Sequence, residues 1–193
     1  MTKRRNNSKR SRFSILFPVL TIIGIGIIAV LSSGYEKSWT YNWNDIRKEI
    51  KDSIQVAKEQ GITSGIVGVG ARSTEDEIQR RKWVMKNATE LELLKLTKYP
   101  NGTVKAIAYE GLIKKETYKE KAQLISKAIA DNEYLVDYQS GCVGVRYQIS
   151  EYLMMYVLNF DRTFPPSPLT VNNYGLSELE KEKILTEFYN RKK

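Results

Sequence analysis

The chain of 193 residues contains no histidine. That excludes His-based catalytic triads, His general bases and His-rich metal sites. It contains one cysteine, Cys142, so no disulfide can close within the chain. With no His to act as its base, a Cys–His hydrolase is excluded as well. Nucleotide-binding motifs are absent. The glycine-rich stretch Gly61–Arg72 (GITSGIVGVGAR) places glycines at 65, 68 and 70, which reads GxxGxG, the reverse of the dinucleotide fingerprint. No Lys followed by Ser or Thr completes a phosphate loop there, so the stretch reads as a linker with a short extended segment. Glu90 with Glu92 and Asp131 with Glu133 are the nearest approaches to paired carboxylates, but nothing else converges on them. No catalytic, cofactor-binding or metal-binding residue is assigned, and the chain reads as non-enzymatic.

Acid is also missing from the N-terminus. Lys3, Arg4, Arg5, Lys9, Arg10 and Arg12 precede a charge-free run of 19 residues from Phe13 to Leu31. At about 1.5 Å per residue this run makes about 28 Å of helix, close to the roughly 30 Å hydrocarbon core of a bilayer. The h-region of a secretory signal is only about 7–15 residues, so the run reads as an uncleaved signal anchor, although Val30-Leu31-Ser32 offers a weak cleavage site. The basic flank is expected to stay cytoplasmic. No Cys follows the run to carry a lipid. Gly24 and Gly26 are two apart, which gives no GxxxG pairing face. The expected organisation is a basic cytoplasmic tail (1–12), a transmembrane helix (13–32), a juxtamembrane segment (33–43) and an extracytoplasmic, periplasmic domain (44–193).

This division changes the meaning of the net charge of +9. The tail holds six of the 31 basic residues and none of the 22 acidic ones, so the rest carries 25 cations against 22 anions, a net of +3. The basic excess belongs to the lipid surface, with residues 1–32 as the lipid-facing part, and no nucleic-acid partner is expected. Tyr35, Trp39, Tyr41 and Trp43 either lie in the headgroup zone or cap the core of the domain.

Helical periods dominate the remainder. Asn44 is a helix N-cap candidate, with Ile46, Ile50, Ile54 and Ala57 on one face and Gly61 as the stop. Thr74 with Glu77, Thr89 with Glu92 and Ser177 with Glu180 have capping-box spacing. Helices are predicted over 74–86, from 89, over 103–115, 118–130, 141–159 and from 177. Pro165, Pro166 and Pro168 end the helical region before the last of these. Cys142 then falls at a helix start, where it reads as a small buried residue or a reactive thiolate.

Shifting Val104, Lys105, Ala108 and Leu112 by 41 lands on Val145, Arg146, Ile149 and Leu153. The stretch from Tyr99 to Leu112, with Pro100, Asn101, Val104, Lys105, Ala108, Gly111 and Leu112 in the family's places, resembles the turn and second helix of HEAT repeats, whose period is about 40. The segment 87–156 is similar to HEAT-like proteins of Bacteroidetes bacteria. It shares Asn87-Ala88-Thr89, Glu92-Leu93, Leu96-Thr97, Pro100-Asn101-Gly102, Val104-Lys105 and Gly141-Cys142-Val143-Gly144 with their pattern. The resemblance implies a mostly α, short HEAT-like antiparallel array and a bacterial source, and no activity. Pro100 and Gly102 would turn the chain, and Ala108, Gly111 and Leu112 would pack the helices. The second unit departs from the pattern by lacking the Pro turn and placing Tyr152 where Gly111 would fall.

Twelve tyrosines favour a binding surface. The expected partner-binding surface is Lys105, Tyr109, Tyr118, Arg146 and Tyr147. The expected function is a membrane-anchored protein-binding or scaffold module at the cell envelope. A membrane-tethered immunity protein that neutralises a toxin, and an enzyme using carboxylates or Cys142, are the alternatives.

Overall fold

In the computed structural model the described residues are 13–33, 36–160 and 174–191, with side chains of the first helix described over 16–32. The chain divides into two compact units, Met1–Thr40 and Tyr41–Lys193. In the first, helix α1 (Phe13–Ser33, 21 residues) precedes a 3-10 turn at Lys37–Thr40. Large apolar side chains lie exposed on all sides of α1, with Phe17 at 76% and Val30 at 71%. Among the described residues no helix is long and apolar enough to cross a membrane. The charge-free run read from the sequence begins three residues before the first described side chain, Leu16.

The second unit is mostly helical with a small sheet. Its elements are α2 (Lys48–Gln60), β1 (Ile62–Val67), β2 (Arg72–Ser73), α3 (Glu75–Asn87), α4 (Glu90–Leu96), α5 (Gly102–Lys114) and α6 (Lys121–Ala130). They continue with β3 (Leu135–Gly141), β4 (Val143–Gln148), α7 (Ile149–Tyr152), a π-turn at Leu153–Val157, and α8 (Glu178–Arg191).

Helix α5 organises the unit. Every residue from Gly102 to Ile113 is buried, and α2, α3, α4, α6, α7 and β3 lie against it. A helix apolar around most of its circumference can sit only inside. Fully burying Ile107, Leu112 or Ile113 contributes about 1.5–3 kcal/mol per side chain. The helix starts cleanly because the Asn101 side chain accepts from the Val104 amide at 3.0 Å. Its close packing rests on two glycines. A Cβ on Gly111 would meet Leu93 Cδ1 at 3.1 Å and Cδ2 at 3.2 Å, on α4. A Cβ on Gly102 would fall inside the carbonyl of Leu135, on β3. Ala108 and Leu112 are fully buried, and Pro100 lies in the turn before the Asn101 cap. Gly102, expected to turn the chain between helices, opens α5 and approaches a strand rather than a helix.

The expectation of a mostly α domain holds, but the four-stranded sheet is not part of the expected helical array. Strand order is β2-β1-β3-β4, with β1 parallel to β3 and the other pairs antiparallel. The helix expected over 141–159 is a strand to Gln148 and helical only from Ile149. The shift of 41 therefore pairs Val104 and Lys105 on a helix with Val145 and Arg146 on a strand. In the second unit a β-hairpin stands between α6 and α7 in place of a turn between two helices. Gly141, at φ 56, lets the chain reverse in two residues, Gly141 and Cys142, between the paired Ser140 and Val143. Cys142 is thus an exposed hairpin residue, neither at a helix start nor buried.

Boundaries differ elsewhere for local reasons. α2 begins at Lys48, four residues after Asn44, because Asp45 adopts φ 59 and turns the chain first. Ile50, Ile54 and Ala57 form its buried face, and Ile46 is buried in the turn before it. Thr74 precedes α3, but its hydroxyl donates to the Gly65 carbonyl and Glu77 pairs with Arg72, so that capping box does not form. The Thr89–Glu92 and Ser177–Glu180 boxes form in full. Tyr41 and Trp43 pack edge-on at 4.9 Å, and both reach the buried Tyr99 ring, at 4.7 and 5.3 Å. These two cap the core, whereas Trp39 is exposed. Tyr35 and the prolines at 165, 166 and 168 lie outside the described residues.

Candidate functional site: a tyrosine cluster at the sheet and π-turn

Four tyrosines from four elements converge. Across the β3–β4 ladder Val136 faces Tyr147 and Tyr138 faces Val145. Side chains paired across a ladder share a face, so Tyr138 and Tyr147 are diagonal neighbours on one side of the hairpin. Tyr152 in α7 and Tyr156 in the π-turn come up beside them. Tyr138 stacks on Tyr156 with centroids 4.4 Å apart and planes 26° apart. Tyr147 lies 5.8 Å from Tyr138 and 5.6 Å from Tyr156, and Tyr152 lies 5.8 Å from Tyr156. The Tyr147 and Tyr156 hydroxyls are 3.1 Å apart and share a hydrogen bond.

The cluster is graded in burial. Tyr152 is buried, Tyr138 and Tyr147 are half-buried, and Tyr156 is exposed. At its inner end the Tyr152 hydroxyl donates to Glu110 Oε2 at 2.7 Å, and the other Glu110 oxygen pairs with Lys114. Burial, and next the Glu110 charge, push the Tyr152 phenol well above its ordinary range. Burial and the bond with Tyr147 raise the Tyr156 phenol in the same direction. Both phenols therefore stay protonated at neutral pH. They can donate and accept hydrogen bonds and present flat rings, but they are poor bases and nucleophiles. A π-turn is uncommon and costs regular helix bonding, and such turns concentrate at functional sites. Here it carries Tyr156. A cleft of about 420 Å³ adjoins the cluster, lined by Tyr138, Val145 and Arg146 together with Gln60 and Ile62. Among the described residues no group of three or more acidic or Cys side chains could hold a metal ion.

Of the surface expected from the sequence, two members lie on the β3–β4 hairpin. Arg146 is exposed and bonded to Asp137 across the hairpin at 3.0 Å, and Tyr147 belongs to the cluster. The other three are internal and cannot form a contact face. Lys105 is buried, pairs with Asp131 at 2.7 Å and lies 5.1 Å from the centre of the Tyr134 ring. Tyr109 is 5% exposed, and burial followed by Asp131 raises its phenol to about 12. Tyr118 is 8% exposed. The long apolar stems of these side chains made burial compatible with their polar tips. The carboxylates have structural roles. Glu92 caps α4 and pairs with Arg47, Glu90 accepts from Thr117, and Asp131 takes Lys105. Sequence reasoning missed Glu110. Its signal is a lone acid inside the otherwise small and apolar run of α5, where burial demands a partner.

The chain matches no family model, no curated protein and no solved structure.

Proposed function

We propose that this is a membrane-anchored, non-enzymatic binding module whose folded domain contacts a protein partner through Tyr138, Tyr147 and Tyr156. The partly exposed tyrosine cluster carries this reading. Tyrosine supplies large contact area with a hydrogen-bonding tip at low entropic cost, and tyrosine is enriched at the centres of interfaces. The rigid inner end, Tyr152 on Glu110, fixes the ring positions before a partner arrives. The α4–α5 pair with its Pro100–Gly102 turn is read as one HEAT-like helical hairpin supporting this surface. The anchor reading rests on the basic N-terminal flank and the charge-free run from Phe13 to Leu31, and the exposed apolar side chains of α1 favour it. It places the domain on the outer side of the membrane.

Co-purification from native membranes tests the surface. A partner recovered with the wild-type chain should be lost with Tyr156→Ala and weakened with Tyr147→Ala. Equal recovery of that partner by the wild-type chain and both variants, with unchanged circular dichroism, would remove the cluster from the interface.

A further inference from the structure

A second surface lies between the C-terminal turns of α3 and α5. A cavity of about 380 Å³ is lined by Lys82, Met85, Lys86, Gly111, Lys114 and Lys115. No acid lines it. Lys114 is neutralised by Glu110, and the Lys115 ammonium reaches the Lys86 carbonyl at 3.5 Å. Among the described residues no carboxylate pairs with Lys82, Lys86 or Lys115. Cations in the last turn of a helix offset its partial negative charge, which accounts for Lys86 and Lys114. It does not account for Lys82, more than a turn earlier on α3.

The lining chemistry narrows the occupant. Lysine side chains donate and never accept, and each acts as a point charge rather than a directional fork. Met85 and Gly111 add an apolar, non-bonding floor. Such a surface attracts anionic groups without reading their orientation, which suits phosphodiesters on a fluid surface better than the fixed geometry of a folded acidic partner. Resting on the anchored reading above, we infer that Lys82, Lys86 and Lys115 dock onto the anionic phospholipid headgroups of the bilayer that α1 enters.

The test uses the full chain in lipid nanodiscs of phosphatidylcholine alone or mixed with phosphatidylglycerol. Acetylation of individual lysines is read by mass spectrometry. Lys82, Lys86 and Lys115 should react severalfold more slowly in the anionic discs, with Lys127 unchanged. About 1 M salt, where the Debye length is about 3 Å, should restore their reactivity. The double variant Lys82→Gln/Lys86→Gln, checked for folding by circular dichroism, should leave Lys115 equally reactive in both discs. Equal reactivity of the wild-type lysines in the two discs overturns the proposal. Protection by added inorganic phosphate in phosphatidylcholine discs, matching that in anionic discs, overturns the lipid assignment in favour of a free anion. Recovery of the chain with the discs reports the anchor independently. A chain that never enters them sinks the anchor and the lipid docking with it.

Discussion

At the scale of single residues, two glycines and one carboxylate decide most. A Cβ on Gly111 would lie 3.1 and 3.2 Å from the Leu93 methyls, flexible ends that can shift by a few tenths of an ångström. Gly111→Leu overpacks that contact and should cost about 1–3 kcal/mol, read as a lower midpoint in denaturant. Gly102→Ala should cost more despite adding one carbon, because its Cβ meets the Leu135 backbone carbonyl, which cannot move without displacing β3. If Gly102→Ala proves the milder of the two, the packing of α5 on the sheet is wrong. Glu92 gives the pH prediction. The Arg47 guanidinium, first among several hydrogen bonds, holds the Glu92 carboxyl down to about 2 against the opposing effect of burial. A depressed carboxyl stabilises the fold above its unfolded value, near 4.5, and loses that stabilisation as pH falls through 4.5 toward 2. Glu92→Gln should therefore cost about 1–3 kcal/mol at neutral pH, from donors left unsatisfied. The gap from wild type should narrow across that acid window in thermal melts. A constant gap would place the effect in packing rather than charge.

At the scale of elements, long helices were legible and the hairpin was not. Ile50, Ile54 and Ala57, or Leu124, Ile125, Ala128 and Ile129, repeat at helical spacing and are buried as that spacing requires. Between Gly141 and Leu153 two periods compete. Val145, Ile149 and Leu153 fall at i, i+4 and i+8, which reads as helix. Val143, Val145 and Tyr147 alternate, which reads as strand. Val145 belongs to both, and the β-branched residues with Gly141 and Gly144 tip the balance toward strand once β3 is available to pair. The tyrosine cluster was hidden for the same reason. Tyr138 and Tyr147 meet only through the β3–β4 register, and Tyr156 joins them only through the π-turn. Gly141→Val tests the hairpin. A β-branched residue at φ 56 costs at least about 1–2 kcal/mol. β4 amides should then exchange hydrogen faster while those of α5 stay protected. Equal loss of protection in both would mean that the hairpin and helix open as one unit.

At the scale of the whole molecule, the uneven charge along the chain bears on the anchor proposed above. With one cysteine the chain has no internal disulfide to hold its domain, so its stability depends on the core around α5. The basic excess sits ahead of Phe13, where it would orient an inserting helix rather than recruit a partner. This yields an orientation prediction independent of what the domain binds. An alkaline-phosphatase fusion after Lys193 should be active, because that enzyme folds only where disulfides form. The protein should also remain in the membrane fraction through carbonate washing. Replacing the six cations of residues 1–12 with glutamine should reduce or invert the orientation bias without releasing the protein, since the apolar run holds it and the flank only orients it. An inactive fusion with the protein still membrane-bound would reverse the topology and place the tyrosine cluster in the cytoplasm. Release by carbonate would instead show that the charge-free run does not span the bilayer.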